Sequence, residues 1–355
     1  MIQPVPHVGV MAAYALADLG DENTVSLAQN ESAFPASPTA LASAKEALGK
    51  TPLYPDPEWT DLRNAISEIH GLDPVNILCG AGSMELIGCL VWAFAGTGDE
   101  VLGTEYGYAF VASAVAQAEA DYIQASEFDL TVSVDEILTT VTAKTKIVFV
   151  CNPGNPTGTL ISNNEILRLR DGLPSDVILV IDQAYAEFSD GQNDPAEIFA
   201  LIEHGDTVVT RTFSKAYGLA GLRAGWGYFP PEIVSEVRKL LNPNNISILS
   251  QAISAEAMRD QAYMKDVVAK TEAIRDSFAE QVRALGITVP QSHTNFVLLC
   301  FENVETAQAV DSALREEKLL LRGMGGYGLG HCLRATISDP SVIERVLCVL
   351  QRMRP

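Results

Sequence analysis

The stretch Lys146-Ile-Val-Phe-Val-Cys-Asn-Pro-Gly-Asn-Pro-Thr-Gly158 decides the fold class. Its first half is continuously apolar and rich in β-branched residues, the pattern of a strand buried on both faces, and such strands belong to parallel sheets covered by helices. Its second half is a dense turn of Pro, Gly and Asn. Two similar stretches follow. Val177-Ile-Leu-Val-Ile181 closes on Asp182, and Thr207-Val-Val-Thr210 leads into Arg211-Thr-Phe-Ser-Lys215. Glu100-Val-Leu102 reads as a shorter strand of the same kind. Helix candidates over 83–95, 108–118, 163–173 and 197–203 separate these runs. The alternation predicts an α/β fold with a three-layer large domain around a mostly parallel central sheet.

The character changes near residue 230. Helical periodicity covers 230–241 and, after the Asn-Pro-Asn-Asn break at 242–245, runs through 250–285. Short strands over 295–300, 318–321 and 332–337 then alternate with helices at about 304–315 and 340–353, which predicts a smaller α+β domain. The expected partition is a large domain over 35–240 and a small domain formed by 1–34 and 241–355. Val8–Leu19 is apolar enough to pack as a helix.

Composition excludes several classes of function. The 355 residues carry 24 Lys+Arg against 45 Asp+Glu, a net charge of −21. Nucleic-acid and anionic-membrane partners are bound through clustered cations, so neither is expected. At 47% hydrophobic and 19% charged residues the chain is globular. The longest apolar run, Leu86–Ala95, falls well short of the ~20 residues that span a bilayer. Met1–Gly20 holds no Lys or Arg, so a cytoplasmic location is the expectation. The six cysteines are dispersed without a CxxC pair and are expected to be buried free thiols. None of the five histidines pairs with another at ligand spacing, so no metal site is expected. Gly323-Met-Gly-Gly-Tyr-Gly328 has the letters of a dinucleotide loop, but the strand-like Cys332–Ser338 follows in place of a helix. A flexible glycine-rich loop is predicted there.

Three strand ends carry the chemistry. Lys215 follows a buried strand and is flanked by hydroxyls and glycines, at the carboxyl edge where α/β folds bind ligands. Taken alone, a solvated loop lysine is the better reading of it. Asp182 caps a helix or pairs with a buried cation, with Tyr185 close behind it. Asn155 is fixed between prolines and glycines. Pyridoxal phosphate unites the set. Its aldehyde takes a lysine as a Schiff base, its pyridine nitrogen a carboxylate, and its phosphate hydroxyls, an arginine and a helix N-terminus. Lys215, Asp182, Ser214, Arg223 and Gly80-Ala-Gly-Ser83 supply these in turn.

The same residues show that the chain resembles the fold type I pyridoxal-phosphate aminotransferases, within them the histidinol-phosphate aminotransferase-like group. The resemblance runs from Leu27-Ala-Gln-Asn-Glu31 through Tyr54-Pro-Asp-Pro57, Gly82-Ser-Met-Glu85, Asn152–Gly158, Asp182-Gln-Ala-Tyr185 and Ser214-Lys-Ala-Tyr-Gly-Leu-Ala-Gly-Leu-Arg223 to Leu333-Arg334. It implies that Lys215 forms the Schiff base and later moves the substrate Cα proton, while Asp182 pairs with the pyridinium nitrogen. Asn155 and Tyr185 would bond the phenolic oxygen of the cofactor, and Tyr108 would stack on its ring. Gly82, Ser83, Met84, Thr212, Ser214 and Arg223 would line a phosphate cup. Tyr54 would reach the cofactor of a neighbouring subunit, which implies a homodimer with shared sites. Arg334 would clamp the substrate carboxylate, a bidentate task suited to arginine, with Arg322 as a second cation and Asn30 as a further substrate contact. The chain departs from the family pattern at Pro6-His-Val-Gly9, where histidinol-phosphate members carry Tyr-x-Pro-Gly, and at Met84, where the family has an acid.

The implied reaction moves an amino group from an amino acid or amino-alcohol phosphate, histidinol-phosphate-like or aromatic, to a 2-oxo acid. A pyridoxal-phosphate decarboxylase resembling the threonine-phosphate decarboxylases is the alternative, since it needs the same lysine and aspartate. Sensor modules of transcription regulators share the fold when joined to a DNA-binding domain, and no basic helix-turn-helix stands ahead of residue 27 here.

Overall fold

The computed structural model describes residues 2–11, 20–189 and 191–353. The chain enters through α1 (Pro6–Val10), β1 (Val25–Ser26), α2 (Pro38–Leu48) and α3 (Thr60–His70). Strand and helix then alternate through β2 (Ile77–Gly80), α4 (Ser83–Phe94), β3 (Glu100–Thr104), α5 (Phe110–Gln117) and β4 (Asp121–Ala125). A short hairpin of β5 (Glu127–Phe128) and β6 (Thr131–Val132) precedes α6 (Val134–Thr140), β7 (Thr145–Cys151), α7 (Asn163–Gly172) and β8 (Ile178–Asp182). Next come α8 (Pro195–Ala200), β9 (Thr207–Thr212) and β10 (Gly225–Tyr228). Helices α9 (Pro231–Leu240), α10 (Ile248–Arg259) and α11 (Gln261–Ala284) lead to β11 (Phe296–Cys300) and α12 (Val304–Glu316). The chain closes with β12 (Leu319–Leu320), β13 (Arg322–Met324), β14 (Leu329–Thr336) and α13 (Pro340–Arg352).

Seven strands form the central sheet in the order β2-β10-β9-β8-β7-β3-β4. All neighbours run parallel except β10, which is antiparallel to both β2 and β9. The continuously apolar runs are the innermost strands, and β8 and β9 are buried at every residue. Strand β10 had no apolar signature, because Gly225-Trp-Gly-Tyr228 alternates with glycine for steric reasons. A Cβ on Gly225 would overlap the Ser83 nitrogen, and one on Gly227 would stand 2.5 Å from the Phe229 ring. Gly225 lets β10 lie against the start of α4, and Gly227 makes room for the Phe229 ring beside β9.

Several expected elements differ in detail. The helix expected over 197–203 is α8 followed by a 3-10 turn at Leu201–His204, stopped by Gly205 at φ 85°. The run expected over 250–285 breaks at Asp260, which ends α10 and caps α11 by accepting the Tyr263 N–H and the Ser37 hydroxyl. The glycine-rich stretch 323–328 is the connection of a β-hairpin, with Met324 in β13 and a 3-10 turn at Gly325–Tyr327. Of the helix expected over 8–19, α1 covers the beginning, and residues 12–19 lie outside the described residues.

Among the described residues two large apolar cores result, with a small third cluster of Leu298, Met324, Leu329 and Cys332 between β-strands of the smaller sheet. The larger surrounds the seven-stranded sheet and also takes in Ile253 and Met258 of α10 and Met264 and Val268 of α11, past the residue-240 boundary expected from sequence. The smaller gathers Leu27, Phe278, Val282, Val297, Leu314, Leu333 and Leu347 around the sheet β11-β14-β13. Helix α11 therefore serves both cores, one with each half. No described helix is long and apolar enough to cross a membrane.

Candidate active site

Strands β7, β8 and β9 end side by side, and their register aligns Cys151, Asp182 and Thr210 in one row. Residues paired across adjacent strands share a face of the sheet. Asp182 is 2% exposed, with the Thr210 hydroxyl donating to its Oδ1 at 2.8 Å and the Cys151 thiol reaching its Oδ2 at 3.9 Å. Burial pushes the Asp182 carboxyl up to about 6, opposed by those two hydrogen bonds and the charge of Lys215. Thr210 was not singled out from sequence. Its signal was available in the parallel register of two adjacent apolar runs.

Lys215 lies in the turn beyond β9. Its Nζ donates to the Asn30 carbonyl at 2.9 Å and the Gln29 carbonyl at 3.2 Å, and stands 5.7 Å from the centre of the Tyr185 ring. Enclosure draws its pKa down to about 7, and the charges of Arg334 and Arg223 push the same way against Glu31 and Asp182. The carbonyls that receive it belong to a segment pinned from far along the chain. The Asn30 side chain donates to the Tyr185 hydroxyl at 2.8 Å and accepts from the Thr336 hydroxyl at 3.3 Å, while Asn295 Nδ2 donates to the Asn30 and Glu31 carbonyls. Burial raises the Tyr185 phenol above its ordinary range. Thr336 and Asn295 escaped the sequence reading, since their partners lie hundreds of residues away.

Arg334, on β14, donates from Nη1 to Asn155 Oδ1 at 2.5 Å and from Nη2 to the Ala28 carbonyl at 2.8 Å. Its guanidinium lies 5.2 Å from the centre of the Phe296 ring. Asn155 can reach it because Asn152 anchors the preceding turn, exchanging hydrogen bonds with both backbone groups of Ile161 at 3.0 Å. Arg322 is the cross-strand partner of Arg334, so both arginines project from one face of the hairpin.

A second cluster lies at the N-terminus of α4. Gly82 is its N-cap at φ 80° and offers no side-chain cap, so the first-turn N–H groups of Ser83 and Met84 face outward from the helix end. The Arg223 guanidinium stands over Gly82, where a Cβ would meet its Nη2 at 2.6 Å. Arg223 Nη1 donates to Ser214 Oγ at 3.4 Å and the Thr212 hydroxyl donates to the same oxygen at 3.0 Å. Glu85, the acid in this turn, is directed to the Ala81 N–H and the Asn245 amide. The cup thus presents donors and one cation to an anion, and Gly82 leaves the room the Arg223 guanidinium occupies.

Lys215, Asp182, Tyr185, Asn155, Asn30 and Arg334 are joined by direct contacts or mutual electrostatics. Thr212, Ser214, Arg223, Gly82, Ser83 and Met84 form the adjoining cup. Tyr108 is half-buried in the turn before α5, with Phe110 at 6.1 Å between ring centres. Tyr54 stands apart on the surface, 85% exposed. An amine of lowered pKa, a dry carboxylate and an anion cup are the three groups that pyridoxal phosphate requires, so the residues present fit that cofactor.

The chain matches the family described as Aminotransferase class I and II over residues 22–350. It is 39% identical to the histidinol-phosphate aminotransferase of a Ruegeria species, across 99% of this chain and 98% of that one. It is 40% identical to the histidinol-phosphate aminotransferase of Paramagnetospirillum magneticum, across 99% of each. Among solved structures, the histidinol-phosphate aminotransferase from Sinorhizobium meliloti in complex with pyridoxal-5'-phosphate superposes with a TM-score of 0.91 at 26% identity, covering 99% of this chain and 98% of that one.

Proposed function

Since the chain belongs to the class I and II aminotransferases and is a pyridoxal-phosphate-dependent transaminase, we propose that its amino donor is histidinol phosphate and its acceptor a 2-oxo acid. The aminotransferase relatives weigh against the decarboxylase alternative. The observation that carries the donor is the register of Arg322 opposite Arg334 beside Lys215. Two guanidinium groups on one face of the hairpin form a dication that suits a doubly charged phosphate. A 2-oxo acid offers a carboxylate, which the Arg334 fork alone can hold bidentately. One site can therefore take a phosphorylated donor and a carboxylate acceptor in turn.

When bound, pyridoxal phosphate supplies an aldehyde for the reacting amines and an electron sink for the bond broken at Cα. Asp182 would hold its ring nitrogen, Asn155 and Tyr185 its phenolic oxygen and Tyr108 its ring face. Thr212, Ser214, Arg223 and the N–H groups of Ser83 and Met84 would hold its phosphate. Lys215 performs the proton work. With a pKa near 7 its amine is substantially neutral at neutral pH, and so it takes the Cα proton of the donor. Thr210 keeps the Asp182 carboxylate oriented, and burial keeps competing water from it. Asn30 positions Tyr185 and, through its carbonyl, Lys215.

The enzyme works as a homodimer in this reading. Tyr54 and Leu53 are exposed at 85% and 66%, and Tyr54 would reach the cofactor phosphate of the partner subunit. A single half-reaction tests the donor. Histidinol phosphate should discharge the visible absorbance of the yellow protein far faster than phenylalanine, tyrosine or O-phosphothreonine. Equal or faster reaction with an unphosphorylated aromatic amino acid would overturn the choice.

A further inference from the structure

Spacing along the chain scatters the cysteines, but the fold brings two of them face to face. Cys300 ends β11, Cys332 lies within β14, and the antiparallel register pairs them directly. The Cys300 N–H and C=O are both bonded on the outer side, to Thr288 at 2.8 and 3.3 Å, while the next residue, Phe301, donates to the His331 carbonyl at 3.0 Å. Cys300 and Cys332 therefore form a non-hydrogen-bonded pair, the kind whose Cα atoms lie about 4.5 Å apart. A disulfide accepts Cα separations of about 4.4–6.8 Å, so the bond can close without moving either strand.

The two thiols already interact. Their mutual contact holds the Cys332 thiol up and lowers that of Cys300. Cys300 is half-buried and Cys332 fully buried. The sulfur within reach of a reagent is thus also the readier nucleophile.

The position matters to the site. Side chains alternate along β14, so Cys332, Arg334 and Thr336 share one face, opposite Cys300, Leu298 and Phe296 of β11. The pair stands next to Arg334 on that face, where Tyr106 and Leu130 pack on the hairpin from the side of the large sheet.

We propose that Cys300 and Cys332 form a disulfide by exchange with a low-molecular-weight disulfide, and that the closed bond restrains the strand pair carrying Arg334. The Cys300 thiolate attacks one sulfur of the oxidant, whose S–S bond breaks and releases a first thiol. Cys332 then loses its proton and attacks the Cys300 sulfur, releasing the second thiol. Two electrons pass from the cysteine pair to the oxidant, and the two cysteine protons end on the released thiols. The effect on the donor rests on the reading of Arg334 as its anchor.

The test treats the full-length holoenzyme with oxidised glutathione. The expected product is lighter by two hydrogen atoms, yields a peptide pair linking Cys300 to Cys332, and has a donor KM raised roughly threefold or more, a change that dithiothreitol reverses. Cys300→Ala and Cys332→Ala should each abolish both the link and the reversible KM change. Cys348→Ser removes the exposed thiol on α13 and should leave both intact. A chain carrying only glutathione adducts, or a linked chain with unchanged KM, overturns the proposal. If oxidation raises KM while Arg334→Lys leaves it unmoved, the pair stands and the assignment of Arg334 falls.

Discussion

Asp182 and Arg334 both act on Lys215, yet they are held by different means. Asp182 is fixed by its neighbours in a parallel ladder, Cys151 and Thr210, at the edge of the larger core. Arg334 sits on a separate three-stranded sheet with its own core, and its hydrogen bonds to the rest include those to Asn155 and Ala28. The first group cannot move without breaking the sheet. The second is held on the middle strand of its own sheet, and its place at the site depends on how that sheet sits against the rest. Chemistry is therefore assigned to the rigid side and substrate holding to the adjustable side, and substitutions should separate the two.

The largest effect belongs to Lys215, which stands between them. Lys215→Ala should abolish the absorbance change on adding donor and reduce turnover by roughly 10⁴-fold or more, because a nucleophile and a proton carrier are lost together. Retained turnover would remove Lys215 from the centre of the comparison.

Asp182→Asn tests the rigid side. It keeps the shape and loses the charge, so kcat should fall by about 10²–10³-fold while donor KM changes little. Stability carries an independent signature. The carboxyl is raised from 3.8 to about 6, so between those values the folded chain binds more protons than the unfolded one and stability falls as pH rises. The cost at neutral pH is at most about 3 kcal/mol at 1.36 kcal/mol per unit. The cofactor-free Asp182→Asn protein should accordingly melt higher than wild type at pH 7, and the gap should close as pH falls through about 4. Lys215 has the opposite slope. Its pKa is lowered from 10.5 to about 7, so its contribution to stability rises with pH across that window, and Lys215→Ala should flatten the rise. Thermal melts across pH check both.

The same contrast explains what the sequence disclosed. Strands β7, β8 and β9 were legible because burial on both faces leaves an unbroken apolar run, and Asp182 and Lys215 were legible because each follows such a run. Strand β10 was not, since close packing against Ser83 and Phe229 demands glycine at Gly225 and Gly227 and erases the apolar signal. Glycine in 323–328 misled in the other direction, suggesting a loose loop where a hairpin turns. The adjustable side was legible only as motif. Asn30 depends on Thr336 and Asn295, and Cys300 on Cys332, through register that no local pattern encodes. Resemblance to a family supplied Arg334 without revealing what holds it.

Arg334→Lys tests the adjustable side. A lysine keeps the charge but cannot bond the donor through two parallel N–H groups or keep both the Asn155 and Ala28 contacts. Donor KM should rise by roughly 10–100-fold, the equivalent of about 1.4–2.7 kcal/mol, with a smaller change in kcat. A fall in kcat at constant KM would place Arg334 with Asp182 and dissolve the division of labour.

Thr210→Val carries the smallest expected effect and probes the ladder itself. Valine matches threonine in shape, so Thr207–Thr212 should stay buried, but Asp182 Oδ1 loses the hydroxyl that donates at 2.8 Å. One hydrogen bond to a charged group contributes about 1.5–3 kcal/mol, part of which the cofactor's ring nitrogen would restore. The lost bond is one of those that hold the carboxyl pKa down, so that pKa should climb above about 6. The acid limb of the kcat profile should therefore move to higher pH, and kcat at neutral pH should fall about 3- to 10-fold with donor KM unchanged. An unmoved acid limb would mean that Thr210 only fills space, and that burial alone sets the state of Asp182.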